Sequence, residues 1–245
     1  MKISTDQLVL LDFYSRNAFA NELSEHYKEI FPFIYNELGA KKLKISLAKL
    51  INKAKESNIT QRGPLQLYID MAIVLGYGFD TDPMYSCFSS VNEQYSSGTE
   101  LERSLQIYDK FNGYLKDVMG ENNLHILGFK NKLANEKFDG FSNINFSDQI
   151  FDLLKDLYPQ KCRYLGCDKV KELICLGLEN PDTYYLNLGS RAVFVLVMFI
   201  VGHKFQSDCF HLYEGFFSEE MGGDDQFLIY KAKEFLTKYI DAMVT

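Results

Sequence analysis

The sequence is short of basic residues and of several residue types that mark particular functions. It has no tryptophan, 5 prolines and 4 histidines among 245 residues. Lys and Arg total 26 against 33 Asp and Glu, which gives a formal net charge of -7. This balance argues against a general nucleic-acid-binding protein, because such proteins need clustered positive charge. The hydrophobic share of 47% is ordinary for a globular chain and excludes disorder as its main state.

The chain also lacks a long apolar run and a secretion signal. Its most apolar stretch is 192–202, about half of the roughly 20 residues that are needed to span a bilayer. We therefore expect a buried core helix there and no membrane partner. The segment 1–7 has neither the basic start nor the apolar stretch of a signal peptide. These features favour a cytoplasmic protein.

The cysteines favour the same compartment. There are 5 of them, an odd number, and no Cys-x-x-Cys pair occurs. In a chain without an export signal this pattern predicts reduced thiols. The cysteines are Cys87, Cys162, Cys167, Cys175 and Cys209.

The most informative feature that is present is an internal similarity between residues of about 19–90 and 146–215. In both stretches an aromatic-proline pair is followed at the same spacing by Leu-Gly, two lysines and an apolar stripe of helical period. Farther on, a Gly-x-x-Phe-x-x-Asp pattern recurs. The first copies of these motifs are Phe31-Pro32, Leu38-Gly39 and Gly76 to Asp82, and the second copies are Tyr158-Pro159, Leu165-Gly166 and Gly202 to Asp208. Repeats of this length usually mean that one supersecondary unit is used twice.

The periodicity predicts an all-α fold, a helical bundle built from two tandem copies of a three-to-four-helix unit. We expect the first unit over 1–95, a connecting helix and linker over 96–145, and the second unit with a closing C-terminal helix over 146–245, all in one compact domain. In each unit the first helix should end before the proline, because the residue preceding proline disfavours the α region. The second should follow Leu-Gly, with the glycine as a left-handed turn residue.

Three further elements follow from local signals. Thr99 and Glu102 fit a capping box at the start of a helix between the two units. The segment 120–147, rich in Asn, Lys, Gly and Phe, is interpreted as the connection. The stretch 225–243 alternates apolar and polar residues as one amphipathic closing helix does.

No grouping of residues at a recognisable spacing predicts catalysis or a cofactor. The densest set of potential metal ligands is His203, Asp208, Cys209 and His211. Only the aspartate recurs at the corresponding position of the first unit, whereas a zinc site needs two ligand pairs at defined spacing. We therefore predict no metal, no cofactor and no catalytic residue, and we expect the chain not to be an enzyme.

Two acidic segments are candidates for binding a partner. The first contains Asp80 and Asp82. The competing interpretation is that Asp82 and its counterpart Asp208 cap the turns that follow the third helix of each unit, which we expect over about 64–76 and 188–202. The second is a loop around Gly222-Gly223, which could equally be a solvated acidic loop, since the spacing of an EF-hand calcium site is absent. Its acidic residues are Glu219, Glu220, Asp224 and Asp225.

The first unit also resembles a family of mostly uncharacterised, helical bacterial proteins that are encoded beside type VI secretion or other polymorphic-toxin genes. The resemblance is carried by Phe31-Pro32, Leu38-Gly39, Ile59-Thr60, 67–71, Gly76 and 79–83. It is weaker in the second unit, where Asp70 and Pro83 are replaced by Leu196 and Cys209. The family supplies no catalytic residues to carry over.

The resemblance implies a role near a toxin, and an acidic chain complements the basic surface of many toxins that act on nucleic acid. We therefore expect an immunity protein that binds and neutralises a cognate toxin in bacterial competition. The proposed contacts are Glu219, Glu220, Asp224, Asp225, Asp80 and Asp82. An alternative is an effector adaptor or chaperone of a type VI secretion system, which would expose an apolar groove. A third is that the chain is itself an enzymatic effector, with a concave polar pocket.

Overall fold

The computed structural model describes residues 4–88, 98–210 and 225–244. These residues form ten α-helices, joined by turns and short 3-10 helices, and contain no β-strand, which confirms the all-α prediction. The helices are α1 (Thr5–Ile30), α2 (Pro32–Glu56), α3 (Arg62–Leu75), α4 (Glu100–Met119), α5 (Leu124–Asn135), α6 (Phe146–Leu157), α7 (Pro159–Leu165), α8 (Cys167–Glu179), α9 (Leu188–Val201) and α10 (Asp225–Val244). None of the described helices is both long enough and apolar enough to cross a bilayer.

The first two helices form an antiparallel hairpin. Helix α1 starts at a capping box in which the Ser4 hydroxyl accepts the Gln7 amide and the Gln7 side chain accepts the Ser4 amide. It ends at Phe31, the residue before Pro32, as expected from the restriction that proline imposes. Pro32 then occupies the first turn of α2, where its missing N–H is tolerated.

A glycine bends the second helical segment in both halves of the chain. Gly39 has φ 70° and ψ 161° within α2, and Gly166 has φ 83° and ψ 158° between α7 and α8. The positive φ was expected, but the extended ψ differs from the predicted left-handed turn. This region of backbone space is almost reserved for glycine, so each position needs a residue without Cβ.

Helices α3 and α9 also end alike. Gly76 closes α3 with φ 101° and ψ 151°, and Gly202 closes α9 with φ 112° and ψ 154°. A short 3-10 turn follows each glycine, at Phe79–Thr81 and Phe205–Ser207. In both turns the phenylalanine packs on an aromatic ring of the preceding helix, with centroids 5.0 Å apart in the first and 5.2 Å in the second.

The core is one continuous cluster that reaches from α1 to α10. Helix α9 is the most apolar of the described helices and lies at its centre, since all but two of its residues are buried. This is the helix that the apolar run 192–202 predicted. Its neighbours α3, α8 and α10 each present an apolar face to it.

The segment between the two halves is more regular than expected. Helix α4 begins at the predicted capping box of Thr99 and Glu102. The segment 120–147 was interpreted as the connection, but it contains helix α5, which buries Ile126, Phe129 and Leu133. The low apolar content of this segment did not indicate a helix, but these three apolar residues lie on one face and are enough to pack a short helix on the core.

Candidate functional site

The ends of α3 and α9 meet within the fold. A Cβ atom added to Gly76 would lie 1.9 Å from the Val201 carbonyl oxygen, and one added to Gly202 would lie 2.8 Å from the Leu75 carbonyl oxygen. The two glycines therefore allow the backbones of the two helix ends to touch. The loops that follow them are held against each other by the contacts described next.

Asp82 is the centre of this junction. Its Oδ1 accepts the Met84 backbone N–H at 2.9 Å. Its Oδ2 accepts the His203 backbone N–H at 2.8 Å and lies 3.0 Å from His203 Nδ1. The residue is only 2% exposed, so its carboxylate joins the two loops within the fold instead of facing solvent.

Asp208 holds the second loop in the same local way. Its Oδ1 accepts the Phe210 backbone N–H at 3.0 Å, two residues onward, as Asp82 does for Met84. Burial raises the pKa of Asp208 to about 7, although the Phe210 N–H opposes the shift. The geometry thus agrees with the capping interpretation of this recurring aspartate.

A buried lysine lies beside this junction. Lys161, in α7, is 3% exposed and donates from Nζ to the Tyr85 hydroxyl at 2.9 Å. The Tyr85 hydroxyl lies 3.4 Å from that of Tyr114 on α4. The ammonium also sits 5.0 Å from the centre of the Phe199 ring. Burial lowers the pKa of Lys161 to about 7, with a smaller opposing effect from Asp82.

Lys161 does not stand out in the sequence as a functional residue. A signal existed in the alignment of the two similar stretches, because the residue that corresponds to Lys161 in the first half is Ile34, which is buried. A lysine that replaces a core isoleucine is expected either at the surface or in a polar cluster. Whether Lys161 lies at the surface or in a polar cluster depends on Tyr85 and Tyr114, which are far from it in the sequence.

A cleft with a mixed polar and apolar lining lies between the end of α2, α3 and α4. It holds about 240 Å³. Asp80 contributes a carboxylate to its wall, with Oδ1 at 2.7 Å from Lys53 Nζ and Oδ2 accepting the Tyr68 hydroxyl at 2.9 Å. Burial, followed by the neighbouring Asp80 charge, raises the pKa of Tyr68 well above its usual range. Arg103 supplies a guanidinium from the α4 side.

The first two turns of α1 extend beyond the rest of the fold. Asp12 pairs with Lys55 at 2.6 Å, near the end of α2, so the residues before Asp12 run past that end. They include four consecutive apolar residues that are each more than half exposed: Leu8, Val9, Leu10 and Leu11. Consecutive helical residues are 100° apart, so these four side chains surround the helix almost completely.

The predicted acidic contacts do not come together as one face in the described residues. Asp82 is buried, Asp80 is paired with Lys53, and Asp225 accepts the Ser190 hydroxyl at 2.6 Å. Glu219, Glu220 and Asp224 lie outside the described residues, as does His211. Their binding of a partner stays a prediction. Within the part of the chain that the structure describes, no three His, Cys, Asp or Glu side chains are grouped as a metal site would require.

Comparisons with protein families, with curated proteins and with solved structures found no match to this chain.

Proposed function

We propose that this chain is an immunity protein that binds a cognate toxin and blocks its activity. The observation that carries the proposal is the exposed apolar start of α1. Contiguous exposed apolar surface is one of the marks of a protein-protein contact. A helix that is apolar on all sides is stable when its surroundings are apolar too.

The shape of this segment restricts how a partner binds it. A flat surface would cover only one side of the turn that carries Leu8 to Leu11. A groove would cover most of the circumference, as in the recognition of an amphipathic or apolar helix by a hydrophobic groove. We therefore infer that α1 inserts its first two turns into an apolar groove of the toxin, with Asp12 and the acidic residues of the chain at the rim.

Two observations support a toxin as the partner. The net charge of -7 favours rapid association with a basic protein, since opposite charges raise the encounter rate. The resemblance expected from the sequence of the first half, to proteins encoded beside polymorphic toxins, points in the same direction. In this proposal the apolar helix provides most of the affinity and the acidic balance provides the rate.

The same apolar turn also favours a second candidate, an effector adaptor of a secretion system. An adaptor carries its cargo without inhibiting it, and an exposed apolar helix suits both roles. The two differ in what the complex does to the cargo, so a functional measurement separates them.

The test is co-expression of the chain with the product of the adjacent gene. The variant Leu8→Gln/Leu11→Gln removes apolar surface, and glutamine keeps nearly the same helix propensity as leucine. The matched control is Leu124→Gln, which changes another leucine that is more than half exposed, at the start of α5. Each buried leucine contributes about 1.5–3 kcal/mol, so the double variant should weaken the complex by about 100-fold or more.

The expected result is a stoichiometric complex of the wild-type chain that restores growth to cells producing the neighbour. The double variant should lose both, with unchanged helicity, and the Leu124 control should keep both. A complex that forms without protection but is needed for export would favour the adaptor. Failure to form any complex would contradict both roles.

We further propose that the two halves are tandem copies of one helical unit. The aligned residues share a glycine-induced bend at Gly39 and Gly166 and a helix end at Gly76 and Gly202, each with closely similar φ and ψ. The recurring aspartates accept the amide two residues onward in both loops. The proposal accounts for the contact between the two like helix ends at Gly76 and Gly202.

A further inference from the structure

The cleft between the end of α2, α3 and α4 combines an apolar interior with charged groups of both signs. Its volume is about 240 Å³. The apolar part of its wall is formed by Ile59, Leu67, Met71, Phe79, Phe88 and Ile107. Cavities of this character, with a few convergent polar groups, are the usual form of small-molecule sites.

An acceptor is fixed in the wall. The Asp80 side chain is 13% exposed, and its two oxygens each accept one hydrogen bond, from Lys53 at 2.7 Å and from the Tyr68 hydroxyl at 2.9 Å. A carboxylate has about four acceptor positions, so Asp80 keeps capacity for further N–H donors. Lys53 is itself held by the Tyr77 carbonyl oxygen at 2.9 Å. The position of Asp80 is therefore set before any ligand arrives.

A donor is fixed on the α4 side. Arg103 donates from one guanidinium nitrogen to the Gly98 carbonyl oxygen at 3.0 Å, and a guanidinium has five N–H groups in all. One turn earlier on α4, the Glu100 carboxylate accepts the backbone amides of Thr60 and Gln61, both at 2.8 Å. These hydrogen bonds join the start of α4 to the start of α3 and thereby hold the two walls of the cleft in position relative to each other.

Three charged side chains line the cleft, Asp80, Glu100 and Arg103. Lys53, outside the lining, pairs with Asp80, so that the charges of the two signs balance. Asp80 faces Lys53, while Glu100 and Arg103 carry opposite charges at the α4 wall. A ligand with a single net charge would disturb this balance, whereas a ligand that carries one charge of each sign would preserve it.

We propose that this cleft binds a small zwitterion with an apolar side chain, of the class of apolar α-amino acids. The ammonium group donates to the Asp80 carboxylate. The carboxylate of the ligand accepts from the Arg103 guanidinium, a pairing whose planar geometry allows two parallel hydrogen bonds. The side chain lies among Leu67, Met71 and Ile107. This site is independent of the surface by which α1 contacts a partner.

The test is calorimetric titration of the purified chain with three probes of the same aromatic body. L-Phenylalanine carries both charges, 2-phenylethylamine carries only the ammonium, and 3-phenylpropionate carries only the carboxylate. We expect saturable binding of L-phenylalanine, with each of the other probes weaker by about tenfold or more, because a charge-assisted hydrogen bond is lost.

Three variants locate the site. Arg103→Gln should weaken L-phenylalanine to the level of 2-phenylethylamine and leave 2-phenylethylamine unchanged. Ser104→Phe should fill the cleft from the half-buried Ser104 position and abolish binding of every probe. Gln106→Ala, at an exposed position of α4, is the matched control and should bind as the wild type does. Thermal unfolding of each variant establishes that it is folded.

The proposal would be overturned if none of the three probes bound saturably. It would also be overturned if 2-phenylethylamine bound as tightly as L-phenylalanine, or if Ser104→Phe bound normally while folded. None of these outcomes depends on whether a toxin binds to α1, so they leave the proposed immunity function to its own test.

Discussion

The buried Lys161 should lower the stability of the protein at neutral pH, and replacing it with methionine should remove that effect. Methionine is of similar length and apolar, and the corresponding residue of the first half, Ile34, is apolar and buried. The variant Lys161→Met leaves the Tyr85 hydroxyl beside that of Tyr114, 3.4 Å away. The buried position should therefore be filled without an isolated polar group.

The magnitude follows from the difference in proton affinity between the folded and unfolded chains. The pKa of Lys161 is about 7 in the folded protein, against the ordinary 10.5 that applies when the chain unfolds. Between these two values the unfolded chain holds a proton that the folded chain has lost, so the stability rises with pH. From pH 7 to pH 9 this group alone should raise the free energy of unfolding by about 2 kcal/mol.

The assay is urea unfolding of the wild type and of Lys161→Met between pH 6 and pH 9, followed by circular dichroism. We expect the variant to be the more stable protein at pH 7, and the difference to shrink by about 2 kcal/mol at pH 9. Lys155→Met is the matched control, because Lys155 is exposed on α6 and its ammonium stays in water in both states. Parallel stability curves for the wild type and Lys161→Met would refute the reasoning.

Two further predictions concern the junction of the loops. Gly76→Ala should destabilise the protein by about 3 kcal/mol or more, because the added methyl group strains the backbone and also clashes with a backbone carbonyl. Gly39→Ala, with open space around the added methyl group, should lose only about 1–3 kcal/mol from backbone strain. Equal losses of stability in thermal unfolding would contradict the close approach at Gly76. Asp208→Asn should stabilise the protein at pH 8 but not at pH 4. The pKa of Asp208 is raised to about 7 in the folded protein, so between about pH 4 and pH 7 the folded chain holds a proton that the unfolded chain has released. The contribution of Asp208 to stability is therefore present below pH 4 and is lost as the pH rises through 7. Stability curves of the wild type and Asp208→Asn with the same slope between pH 4 and pH 7 would rule this out.

The elements that rest on short-range interactions could be predicted from the sequence. Thr99 and Glu102 satisfy each other's backbone within one turn of helix, and the helix end before Pro32 follows from the local restriction that proline imposes. The apolar run of α9 is equally local, since a helix without a polar face has to be buried. These features do not depend on what the helices pack against.

The roles of individual polar residues could not be predicted in this way. Asp82 was a candidate for contact with a partner, and only the packing of α3 against α9 turns its carboxylate toward His203. Lys161 is buried because Tyr85 and Tyr114 arrive from distant segments to receive it.

The apolar start of α1 shows the same division. Its capping box and helical residues are set by the sequence from Ser4 onward, but its exposure arises because α2 ends at Glu56, opposite Asp12. Where helices start and stop is decided by hydrogen bonds within a few residues. Which side chains face water, one another or a partner is decided by the meeting of surfaces that are far apart in the chain.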